Sequence, residues 1–210
     1  MTDRIFEAAV QAFESVELGK QHAEGWGCWP TSVQEKVLEL LDGRVFDTVL
    51  DLGCGPGNYA LLLKGWSRYV GVDQSEAWLG LARKRLANLL GVELHQAWIE
   101  EYKPDGGFDL ALCVDVFQHH AHPVALADKL VALDVSYLCF NLMVTDRKQP
   151  EDFLWDDWGK LSEGITVTQA DQLVQKMMNA MPARLVGRVD LPYGHPLPQL
   201  TWRCYLLEKT

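Results

Sequence analysis

The residues best equipped for chemistry form one run, Val49-Leu50-Asp51-Leu52-Gly53-Cys54-Gly55-Pro56-Gly57, joined by Asp73 twenty residues past Gly53. Glycines so spaced let the backbone turn sharply and approach a ligand with no Cβ in the way. A helix begun there aims its free N–H groups and positive dipole end into the same space. An acid about twenty residues on, at the end of the next strand, is placed to grip a ribose. The chemistry is recognition of a nucleoside-bearing ligand, and two kinds compete. Gly55-Pro56-Gly57-Asn58-Tyr59-Ala60 fits the G-x-G-x-x-A form used for dinucleotides. Asp51 argues the other way, because a carboxylate before the glycines repels a pyrophosphate and attracts a ligand carrying ammonium and sulfonium groups.

A second chemical group is Asp115-Val116-Phe117-Gln118-His119-His120, just past an apolar run at 108–114. It falls at the carboxyl edge of the sheet, where open α/β folds bind ligands. His119 has the unperturbed pKa of a general base, although a histidine here also serves simply to brace a loop.

The D-x-G-x-G-x-G pattern from Asp51 to Gly57 resembles that of the class I, Rossmann-like S-adenosylmethionine-dependent methyltransferases, and the resemblance extends from about residue 45 onward. It implies an α/β fold: a doubly wound, seven-stranded, mostly parallel sheet with helices on both faces. An antiparallel strand pair at the C-terminal end and an N-terminal helical extension complete it. It implies S-adenosylmethionine as cofactor and S-adenosylhomocysteine as product. Asp51, Gly53 and Gly55 would then shape the methionine end, Asp73 the ribose, and Gln96, Ala97 and Trp98 the adenine, with Cys54 and Gln74 also among the cofactor-binding residues. The backbone at Val114 would face the cofactor's amino group. Gln96 stands where the family more often has Asp. The run Asp115 to His120 is also similar to the E-x-x-E-H-H metal site of small-RNA 2′-O-methyltransferases, but Gln118 replaces a needed carboxylate, so no metal is expected.

Elements must hold these residues in place. Residues 1–44 are expected to form a helical lid or extension, and residues 45–210 the Rossmann-like domain, with an insertion at about 146–164. An amphipathic helix is expected over 3–18, then a link bearing His22, Trp26 and Trp29, then a helix over 33–41 capped by Ser32. Strands are expected at 48–52, 69–72, 92–95, 108–114 and 135–142, with a final pair at 185–191 and 201–207. Ser75 caps a helix running to about Leu90, and Thr168 one from Gln169 to about Met181. His22, Trp26, Trp29, His120 and Trp155 are the expected substrate-side residues, for a flat or cationic acceptor.

Composition narrows the partners. A formal net charge of −10 over 210 residues leaves no basic face for nucleic acid or for an anionic membrane surface. The five cysteines are scattered without a C-x-x-C pair, as buried thiols in a reducing, cytoplasmic setting would be. No apolar run reaches transmembrane length. Neither an Asn/Asp-Pro-Pro-aromatic tetrapeptide nor a Pro-Cys pair follows the fourth strand. The expectation is methyl transfer to an O or N atom of a small organic acceptor, with His119 as base if the acceptor arrives protonated. Two alternatives stand beside it. One is a protein or RNA methyltransferase acting with a partner; the other is a non-catalytic S-adenosylmethionine-binding protein. Oligomeric state is not legible in the sequence.

Overall fold

Five segments become parallel strands: β1 (Thr48–Leu52), β2 (Arg68–Asp73), β3 (Val92–Gln96), β4 (Phe108–Cys113) and β5 (Val135–Thr145). The computed structural model describes residues 31–120, 122–145, 154–155, 160–161, 165–192 and 200–210. The helix expected at 3–18, the link bearing His22, Trp26 and Trp29, and most of the insertion lie outside the described residues.

Two further strands, β6 (Ala183–Pro192) and β7 (Leu200–Lys209), complete a sheet in the order β3-β2-β1-β4-β5-β7-β6. β7 runs antiparallel to both β5 and β6. The seven-stranded, mostly parallel sheet and its antiparallel C-terminal pair are therefore as the sequence led one to expect. A two-residue strand, Ile165–Thr166, also pairs with the end of β5, and Leu154–Trp155 pairs with Lys160–Leu161.

Helices cover both faces. α1 (Thr31–Leu41), α2 (Asn58–Leu62) and α3 (Glu76–Arg85) lie on one side, and α4 (Pro123–Val131) and α5 (Val167–Ala180) on the other. In α1, Val33, Val37, Leu40 and Leu41 recur at helical spacing and are buried with Trp202 and Leu206 of β7. Each such burial contributes roughly 2 kcal/mol, so α1 is fixed to the sheet by its stripe.

Three local expectations are corrected. α1 begins at Thr31, which puts Ser32 inside the helix. α3 ends at Arg85, short of Leu90, because the chain must reverse at Gly91 to enter β3. α5 starts two residues earlier than expected: Thr166 is its cap, accepting from Gln169 N while the Gln169 side chain accepts from Thr166 N. That reciprocal pair satisfies two free N–H groups, which Thr168 inside the helix would not do.

Candidate active site

Strand order reverses between β1 and β4, and the crevice at their carboxyl ends is where this architecture places ligands. Side chains alternate across a strand, so Asp51 shares a face with Val49, and Asp73 shares that same face with Tyr69. Gln96 is the register partner of Asp73 on β3. On β5, Asn141 lies between Cys139 and Met143, again on this face. The result is a polar row along one edge, from Gln96 through Asp73 and Asp51 to Asn141, on the side covered by α1, α2 and α3.

Between β1 and α2 the chain turns through Gly53 and Gly55 at φ +78° and +51°. The two glycines do different work. A Cβ on Gly53 would collide with Val116 Cγ2, so this glycine lets the two loops close on each other. A Cβ on Gly55 would meet nothing within 4 Å; it faces open space. The turn is tied from two sides. Asp73 accepts from Gly55 N at 2.9 Å and from Ser75 N at 2.8 Å. Arg85 donates to Pro56 O at 2.9 Å and to Asn58 Oδ1 at 2.7 Å. Burial raises the Asp73 pKa, and these two N–H bonds oppose the rise.

Asp51 is almost wholly buried and accepts from the Tyr69 hydroxyl. Burial pushes its pKa up to about 7; the Tyr69 bond lowers it and the nearby Asp73 charge adds to the rise. Cys54 is buried beside Gly71, where a Cβ would lie 2.9 Å from Cys54 Sγ. Its thiol is pushed up by burial and by the Asp51 and Asp73 charges.

Toward β3, Gln96 Nε2 donates to Gln74 O at 3.2 Å, and Ala97 N donates to Asp73 O at 3.1 Å. Trp98 presents part of its ring to solvent. Among the described residues, Gln74 Oε1 is a buried acceptor with no donor. Past β4, Val114 is buried and Asp115 adopts φ +61°, a left-handed conformation that costs a non-glycine residue energy. Asn141 holds it there, accepting from Asp115 N and donating to Asp115 Oδ1, both at 2.7 Å. Burial pushes the Asp115 pKa up to about 6 against that hydrogen bond.

His119 closes a short 3₁₀ turn, Phe117–His119, and is exposed. His120 meets the Glu100 carboxylate through Nε2, while its Nδ1 accepts from His122 N at 3.1 Å. An accepting Nδ1 leaves the proton on Nε2, so His120 donates to Glu100 and ties the loop after β4 to the segment after β3. Trp155 belongs to a described strand pair, but its side chain, like His22, Trp26 and Trp29, lies outside what the structure describes.

Residues 49–136 match the family described as "Methyltransferase domain". This stretch of the chain is thus similar to a methyltransferase domain. The match spans β1 to the start of β5 and includes Asp51, Asp73, Gln96 and Asp115. Over 134 residues the chain is 36% identical to an uncharacterized 37.1 kDa protein in transposon TN4556 of Streptomyces fradiae, covering 61% of this chain and 38% of that one. Over 101 residues it is 40% identical to a trans-aconitate 2-methyltransferase of Enterobacter sp. (strain 638), covering 45% of this chain and 39% of that one. The chain thus spans about two fifths of the curated relatives it matches. The methyltransferase fold extends beyond the family match. Magnesium protoporphyrin IX methyltransferase (ChlM) from Synechocystis PCC 6803, with bound SAH, superposes with a TM-score of 0.68 at 16% identity, over 95% of this chain and 97% of that one. N-methyltransferase NodS from Bradyrhizobium japonicum WM9, in complex with S-adenosyl-l-homocysteine, gives 0.64 at 16% identity, over 85% and 86%.

Tyr59, Tyr69, Arg85, Glu100 and Asn141 were not legible as site residues. Asn141 had one signal: it is the lone amide in the apolar run Tyr137 to Val144.

Proposed function

We propose that the protein transfers a methyl group from S-adenosylmethionine to an O or N atom of a small organic acceptor. The observation that carries this is the row of Asp51, Asp73 and Gln96 on one sheet face beside a glycine turn whose Gly55 opens onto empty space. The residues fit the donor. Two acids at the crevice suit its cationic end, Asp73 suits vicinal hydroxyls, and the unpaired Gln74 Oε1 suits a further donor. Bound S-adenosylmethionine supplies a sulfonium methyl whose leaving group is a neutral thioether.

The protein's share of the work is alignment and exclusion of water. Asp51 and the Gly53–Gly55 backbone would hold the methionine end, Asp73 and Gln74 the ribose, and Ala97, Trp98 and Gln96 the adenine. His119, exposed at the mouth, is the proposed base for an acceptor that arrives protonated. The segment at 1–44 and the insertion at 146–164 would cover the acceptor, with His22, Trp26, Trp29, His120 and Trp155 on that side. The name carried by several relatives, trans-aconitate 2-methyltransferase, supports a small-molecule acceptor.

Calorimetry with S-adenosylhomocysteine and with NAD tests the cofactor: the first is expected to bind and the second not, and the reverse result overturns the reading. A lysate incubated with protein and methyl-labelled S-adenosylmethionine should yield labelled small molecules. Labelled protein or RNA would favour an enzyme acting with a partner. Binding without turnover on any fraction would favour a cofactor-binding protein.

A further inference from the structure

Asp115 is an aspartate in a costly backbone conformation, half-buried, at the mouth of the crevice between β1 and β4. Asn141 spends both ends of its amide on it, and Asn141 is itself wholly buried. A structural turn needs neither the carboxylate nor such a clamp, since glycine adopts this conformation freely. A second observation points to a ligand. The Tyr59 hydroxyl is more than nine-tenths buried, has no hydrogen-bond partner among the described residues, and lies close enough to feel the charges of Asp115 and Asp51. Cys139 and Cys204 also lie close enough to act on this hydroxyl, and neither brings a positive charge. Two carboxyl groups and a spare hydroxyl therefore lie near one another, and no cation of this chain among the described residues shifts any of the three.

We infer that the acceptor is an amine, and that Asp115, clamped by Asn141, receives its nitrogen and takes up its proton. This rests on the methyl-transfer reading, narrows it from O or N to N, and for an amine gives the proton to Asp115 in place of His119. The step balances as follows. The acceptor nitrogen's lone pair forms the new N–CH3 bond, the C–S bond breaks with its pair retained by sulfur, and the proton lost from nitrogen passes to the Asp115 carboxylate. A carboxylate acceptor such as trans-aconitate would instead bring negative charge against Asp115 and Asp51, so the inference separates this chain from the relatives that bear that name.

Sinefungin provides a binding test that needs no knowledge of the acceptor. It is an S-adenosylmethionine analogue with an amino group where the methylsulfonium stands. By calorimetry it should bind the wild-type protein about tenfold tighter than S-adenosylhomocysteine, the gain of one charge-assisted hydrogen bond. Asp115→Asn keeps the left-handed turn and the bond from Asn141, so S-adenosylhomocysteine affinity should be unchanged and should report an intact fold. The sinefungin preference should fall to near one in Asp115→Asn and return in part in Asp115→Glu. Equal affinities in the wild type, or a preference that survives Asp115→Asn, would overturn the inference and leave methyl transfer standing. Failure of both nucleosides to bind the wild type would overturn the reading beneath it, and the inference with it. A panel of amines, phenols and carboxylates as methyl acceptors gives a second arm: methylated amines support the inference, and methylated carboxylates sink it.

Discussion

At the scale of residues, the two glycines of the turn make separable predictions. Gly55→Ala places a Cβ in open space at a positive φ, so it should cost only about 1 kcal/mol of stability yet block the cradle. Thermal melting and titration with S-adenosylhomocysteine should show a nearly normal midpoint and lost binding. Gly53→Ala, driven against Val116, should instead lower the melting temperature visibly. Asp73→Ala removes two N–H anchors and the proposed ribose acceptor, and affinity for S-adenosylhomocysteine should fall about a hundredfold, measured by calorimetry. Asp51, Gly53, Gly55 and Asp73 were legible because their meaning lies in type and spacing along the chain. Tyr69, Asn141 and Tyr59 were not, because each acts on a partner from another element. Tyr69 reaches Asp51 only through strand pairing, and Asn141 reaches Asp115 only across the β4–β5 register. No local pattern encodes such a contact.

Among elements, the strands were read well and the helix ends less so. Apolar runs fixed the cores of β1, β2, β4 and β5, because a strand buried on both faces needs little else. The start of α5 was misplaced because Thr166 and Thr168 look alike in sequence, and the deciding partner, Gln169, serves only the first as a capping box. Thr166→Ala should accordingly destabilise the protein by about 1 kcal/mol, while Thr168→Ala, exposed inside the helix, should change little. Urea denaturation of the two variants checks this. Arg85 is exposed on α3, yet it also ties that helix to the glycine turn through Pro56 and Asn58.

For the molecule as a whole, the two raised carboxyls set a pH dependence. Asp51 and Asp115 bind protons more tightly in the folded chain, at about 7 and about 6, than at their ordinary value of 3.8. Their contribution to stability is full below about pH 4 and is lost as pH rises through 6 and 7. Without ligand, stability should therefore fall by several kcal/mol between about pH 4 and 7, and Asp51→Asn should flatten the curve, as chemical denaturation at stepped pH will show. A cationic ligand favours both ionised forms, so S-adenosylmethionine affinity should climb with pH over the same range, more steeply than that of the uncharged thioether product. The sheet carries one more consequence. β7 is made after β6 but sits between β5 and β6, so order in space departs from order of synthesis. On the ribosome, the eleven-residue flank of β5 has no neighbour on that side until β7 emerges, and β6 has nowhere to dock. The nascent protein thus exposes a long sticky border during its synthesis, and chaperone demand should peak in the interval between those two segments.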